Sequence, residues 1–118
     1  MKDQFQGNML RIHFGESDKW QGKPLYEAIV AKCQELGMAG AIVYRGIEGY
    51  GTSTRIRHSG YWRFSHDAPV MLSIIDTKEQ IAMLLPHLDE MVEEGLIAMS
   101  EVEVIRFTRQ ESDRAQSQ

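Results

Sequence analysis

The chain has 118 residues, 42% of them hydrophobic and 25% charged, with 13 Lys and Arg against 17 Asp and Glu. That size and balance suit one folded domain and exclude wholesale disorder. The net charge of −4 argues against a general nucleic-acid binder, and the single Cys33 excludes an intrachain disulfide.

The opening MKDQFQGNML lacks the apolar core of a secretory signal, and no apolar run reaches the ~18–20 residues of a membrane span. The expected compartment is the cytoplasm, without membrane insertion. Met9 to Phe14 alternates strictly, with Leu10, Ile12 and Phe14 on one face, and reads as a strand. Gly15 to Gly22 has turn composition, and Glu16 and Asp18 read there as part of a helix-entry loop. Pro24 suits a first helical position; Leu25, Ala28, Ile29, Lys32, Cys33 and Leu36 then share a helical face, and Gly37 is a stop. Cys33 on that stripe reads as a small buried hydrophobe rather than a nucleophile.

Gly40 to Arg45 is a second strand and Pro69 to Asp76 a third. Thr77-Lys78-Glu79-Gln80 has capping-box form, with Thr77 accepting from the Gln80 amide and the Gln80 side chain reaching back. A helix follows through Ile81, Leu84, Leu85, Leu88, Met91 and Val92 to a stop at Gly95, with a kink or a break into two expected at Pro86. Val102 to Phe107 is the last strand. The domain is placed at 1–108, with 109–118 a polar tail.

Strand, helix, strand, strand, helix, strand predicts an α+β, ferredoxin-like βαββαβ fold: a four-stranded antiparallel sheet with both helices on one face. The third strand is apolar on both faces, with Val70, Leu72 and Ile74 on one and Met71 and Ile75 on the other. The last strand sets Val102 and Val104 against Ile105 and Phe107. A monomer would leave one row in water, which predicts an oligomer.

The second and third strands are separated by Gly46 to Ala68, longer than compact domains ordinarily carry without a purpose. Four of the eight arginines lie between Arg45 and Arg63 with one acid, Glu48, whereas Asp76 to Glu103 holds eight acids and one base. Such a basic patch in an acidic chain attracts a small anion, or is simply a solvated loop. Gly46, Gly49 and Gly51 allow positive φ and close backbone approach to a ligand, and Thr52, Ser53, Arg55 and Arg57 offer donors to phosphate. No Walker sequence is present. Residues Gly51 to Tyr61 are expected to be highly mobile in the free protein. His13, His58, His66 and His87 lack metal-ligand spacing, and no metal is inferred. His13 and His87 read as surface or interface residues. No catalytic elbow occurs, so no enzyme is inferred.

Together, Leu10-Arg11-Ile12, Gly15-Glu16, Pro24 to Val30, Gly40-Ala41, Arg45-Gly46-Ile47-Glu48-Gly49-Tyr50-Gly51, Pro69-Val70, Leu85-Pro86, Leu88 to Met91 and Gly95-Leu96 resemble the domain-of-unknown-function 190 family. These proteins are similar to the nitrogen-regulatory PII signalling proteins, and the likeness spans residues 9–107. The resemblance implies a homotrimer with the open sheet faces around the threefold axis, and a segment at about 46–65 corresponding to the PII T-loop. It implies an adenine nucleotide (AMP, ADP or ATP) in clefts between subunits at the base of that loop. The matching positions are Arg45, Gly46, Gly49 and Gly51, with Thr52 and Ser53 beside them. It further implies a protein target, for which a membrane transporter is one candidate. Tyr50, Tyr61 and Trp62 suit such a contact, or pack within the loop. One departure falls at Ile56-Arg57-His58, where the family commonly has Ile-His-Thr; a ligand-contacting role would pass to Arg57 or be lost. The alternatives are a divalent-metal-binding trimer of the cation-tolerance type and a nucleotide hydrolase using Glu16 or Asp67.

Overall fold

A computed structural model describes residues 2–50, 56–57 and 68–109. The main strands are β1 (Lys2–Gly15), β4 (Ala41–Arg45), β7 (Pro69–Thr77) and β8 (Leu96–Phe107). The short pairs β2 (Lys19–Trp20) with β3 (Lys23–Pro24), and β5 (Gly49–Tyr50) with β6 (Ile56–Arg57), form separate ribbons. The helices are α1 (Leu25–Glu35) and α2 (Lys78–Met91).

The sheet order is β4-β7-β1-β8 with every neighbour antiparallel, as the ferredoxin-like reading requires. Alternation along β1 and β7 sends Leu10, Ile12, Phe14, Val70, Leu72 and Ile74 to the side on which the helices lie. Leu25, Ile29 and Cys33 of α1, and Ile81, Leu84, Leu88 and Met91 of α2, meet them there. Each such large side chain removed from water contributes about 1.5–3 kcal/mol before chain entropy is set against it.

Local chemistry sets the helix ends. After α1, Gly37 takes φ +74, its amide donates to the Gln34 carbonyl, and the Met38 amide donates to the Cys33 carbonyl. This is a Schellman stop, which favours glycine because a Cβ would strain the left-handed turn. At α2 the capping box is only half formed. Thr77 Oγ1 accepts from the Gln80 amide at 3.2 Å, but the Thr77 amide donates to Asp76 Oδ1. The Gln80 side chain is thereby released to donate to the Leu36 and Gly37 carbonyls, tying the end of α1 to the start of α2. Buried Asp76 also accepts from the Ala39 amide, so both helix ends are pinned around it.

Three boundaries differ from the sequence reading. α2 runs through Pro86 as one helix rather than two, with Pro86 on an exposed side. It ends at Met91 rather than Gly95, since Val92 already has extended dihedrals (φ −95°, ψ 111°). β1 and β8 are both longer than expected and pair continuously from Lys2↔Phe107 to His13↔Leu96.

Among the described residues nothing covers the second sheet face. Ile42 and Tyr44 of β4, Ile75 of β7 and Leu96 of β8 lie on it and are 42–58% exposed. The apolar second row read from the third strand is therefore real, and on this face it meets water.

Candidate functional site

Three chain ends converge where the sheet stops. β1 closes at Gly15, β4 leaves at Arg45, and β7 begins at Pro69, with Gly15 opposite Pro69 and Arg45 opposite Val70. The long connection therefore leaves and returns through a narrow neck. The Gly46 amide donates to the Pro69 carbonyl at 2.7 Å. A Cβ on Gly46 would lie 2.8 Å from Pro69 Cγ and 3.1 Å from its carbonyl oxygen. This corrects the reason given for glycine here: neither Gly46 nor Gly49 has a positive φ, and at Gly46 the close approach is to Pro69.

Glu16, one residue beyond β1, fills the neck. Its carboxylate accepts from Arg45 Nε at 3.2 and 3.3 Å and from the Ala68 amide at 3.3 Å, while its own amide donates to the Ala68 carbonyl at 2.8 Å. The Glu16 side chain is only 20% exposed and that of Arg45 47%. Asp18 does different work: its carboxylate caps the Gly15 amide at 3.0 Å and its carbonyl accepts from Leu25 at the start of α1. The two acids are therefore turn and neck residues, with separate partners.

Beside the neck is a cavity of about 380 Å³, lined by His13, Tyr44, Arg45, Gly46, Glu48, Gly49, Pro69, Val70 and Met71. Its position follows from register, because Tyr44 and His13 both stand opposite Met71, in one row across the open sheet face. Arg45 and Glu48 bring opposite charges to its lining, His13 and Tyr44 two rings, and the proline, valine and methionine an apolar wall. Ligand pockets occupy about 300–1,000 Å³, so one chain provides the lower end of that range. The cavity adjoins the exposed apolar side chains of that face.

Of the sequence-derived ligand positions, the structure brings together Arg45, Gly46 and Gly49. Gly51, Thr52, Ser53, Arg55, Tyr61 and Trp62 lie outside the described residues, as does the stretch expected to be mobile apart from Ile56 and Arg57. Tyr50 and Arg57 contribute backbone to the β5–β6 ribbon, with Gly49 opposite Arg57. The sequence reading did not include His13 or Tyr44 in the site. Their signal was strand parity, which places His13 on the face opposite Leu10 and Ile12.

Cys33 is buried, and burial, followed by the nearby negative charge of Asp76, pushes its thiol up to about 11. That suits packing and not nucleophilic attack. Among the described residues no group of three or more His, Cys, Asp or Glu side chains could hold a metal ion, and no helix is long and apolar enough to cross a membrane.

This fold is shared with PII-like proteins. The nitrogen regulatory PII-like protein CPII from Thiomonas intermedia K12, solved bound to ADP, AMP and bicarbonate, superposes with a TM-score of 0.62 at 18% identity, covering 86% of this chain and 91% of that one. A PII-like signalling protein from Thermus thermophilus gives 0.62 at 19% identity, over 86% and 92% of the two chains. The DUF190 family model, described as "Uncharacterized ACR", matches residues 7–104, and the chain belongs to that family. A UPF0166 protein from Aquifex aeolicus is 36% identical over 97 residues, 82% of this chain and 91% of the relative. A UPF0166 protein from Methanocaldococcus jannaschii is 32% identical over 102 residues, 86% and 94% of the two.

Proposed function

We infer that this protein is a PII-like regulatory module that binds an adenine nucleotide in clefts between subunits and signals to a protein target through its long segment. The observation that carries the reading is the cavity at the loop neck, with Arg45 on its wall and a bare apolar sheet face beside it. An apolar face of this extent favours self-association, and a homotrimer built on it would complete each cavity with a neighbouring chain. Support for the ligand class comes from CPII, which was solved with ADP and AMP. In this reading Arg45 faces phosphate and Tyr44 the planar base, with the amides and side chains of Gly51, Thr52, Ser53, Arg55 and Arg57 adding donors. Tyr50, Tyr61 and Trp62 meet the protein target. Ligand and target bias the same segment, so their affinities are linked. The module acts by binding and carries out no turnover.

Calorimetric titration with AMP, ADP, ATP and bicarbonate tests this directly. Saturable binding of at least one nucleotide, at one site per chain, is expected. Failure of all three at millimolar concentration would remove the nucleotide from the proposal, and steady release of inorganic phosphate from ATP would replace the module with a hydrolase.

A further inference from the structure

One side chain holds both ends of the long connection. Glu16 accepts from Arg45 Nε where the chain leaves the sheet and from the Ala68 amide where it returns. Its own amide donates to the Ala68 carbonyl, so backbone and side chain of a single residue grip the fully buried Ala68. Arg45, the cation in this arrangement, is also on the cavity wall. An anion that reached the Arg45 guanidinium from the cavity would compete there with the Glu16 carboxylate.

Resting on the nucleotide reading above, we propose that Glu16 is a positioning residue that clamps the loop neck through Arg45 and that an entering phosphate group releases. A carboxylate only 20% exposed is tolerated because a cation and an amide satisfy it. When phosphate draws the guanidinium away, the carboxylate turns toward water and the Ala68 amide loses its acceptor. Occupancy of the cavity is thus reported at the first residue before β7. By linkage, whatever fastens Ala68 in place weakens binding of the anion by the same factor.

Glu16→Gln tests the competition, since the amide keeps the shape and an oxygen acceptor for Ala68 but not the charge. Both proteins are titrated calorimetrically with ADP and with inorganic pyrophosphate, and exchange of the Ala68 amide is followed by NMR in the wild type with and without ADP. The variant should bind the anions about 1.4- to fivefold more tightly, the size expected of one partly screened charge pair. The Ala68 amide should exchange faster once ADP is bound. A residue with only a structural role would leave affinity unchanged or lower it, and either result overturns the clamp. Should the variant not fold, Ala68 exchange that ADP leaves unchanged in the wild type overturns it equally. If ADP binds well but the variant gains nothing, the clamp falls and the nucleotide reading stands. If pyrophosphate binds as well as ADP and the variant gains, the clamp stands and the nucleotide reading falls. Binding of neither anion overturns both.

Discussion

Replacing Arg45 with alanine should separate binding from stability, because a partly exposed ion pair and the proposed contact to phosphate differ in weight. Arg45 is 47% exposed and its bonds to Glu16 run through Nε at 3.2 and 3.3 Å. Partly exposed pairs of this kind contribute about 0.2–1 kcal/mol, less at high salt. The Glu16 amide still donates to the Ala68 carbonyl in the variant, and the Gly46 amide still reaches the Pro69 carbonyl, so the neck should hold on its backbone bonds. For a domain of this size the melting temperature should fall by no more than about 4–8 °C. In the proposed site the same side chain would make a charge-assisted contact with phosphate worth about 1.5–3 kcal/mol, or roughly ten- to a hundredfold in affinity. Arg45→Lys should recover part of that loss, since an ammonium restores charge without the planar fork. Calorimetry with ADP and a melting curve at fixed protein concentration are the two assays. Equal ADP affinity in wild type and Arg45→Ala would refute the site, and an unfolded Arg45→Ala would show that the ion pair had been undervalued.

Light scattering should return a mass near three chains, and Ile75→Glu, on the bare sheet face, should lower it; a wild type that stays monomeric at micromolar concentration would remove the shared cleft. Gly46→Ala should cost about 1–3 kcal/mol through its clash with Pro69, seen as a lower denaturation midpoint, and an unchanged midpoint would show that the neck yields. With its thiol pushed from 9.0 to about 11, Cys33 should react with a disulfide reagent at pH 8 about a hundredfold more slowly in the folded than in the unfolded protein; similar rates would contradict its burial. The sign for stability follows: the fold favours the neutral thiol, so this contribution is complete below 9.0 and is lost as pH rises toward 11, which urea titrations between pH 8 and 11 can follow.

What could be seen in the sequence divides along physical lines. The period-two pattern of Leu10, Ile12 and Phe14 and the helical spacing of Leu25, Ile29 and Cys33 report burial against a single core, and they gave the fold. The extension of β1 back to Lys2 was missed because Gln4, Gln6 and Asn8 make a polar ribbon beyond that core, where Gln4 and Gln6 each donate to Glu103 across the two strands; the start of β8 was missed because Leu96-Ile97-Ala98-Met99 is apolar without alternation. Gln80 was misassigned within the capping box because its partners, Leu36 and Gly37, are brought near only by packing of the helices. Likewise, nothing local to Arg45 points to Glu16, whose carboxylate it meets and which stands 29 residues away. Local pattern locates a candidate side chain; what it faces depends on which strand ends meet.

The sheet order has a consequence for how the chain is made. β1 lies between β7 and β8, so the strand synthesised first occupies the interior and must wait for both neighbours. About sixty residues separate the end of β1 from completion of β7, roughly 3–12 s at about 5–20 residues per second. During that interval the Leu10, Ile12 and Phe14 row has neither hydrogen-bonding partner, and the connection before Pro69 lengthens the wait. Inserting such a connection costs little in final stability, because loop-closure entropy grows only with the logarithm of length. Its burden falls on the ribosome-bound chain, which carries an apolar strand with two open edges until Val70, Leu72 and Ile74 emerge.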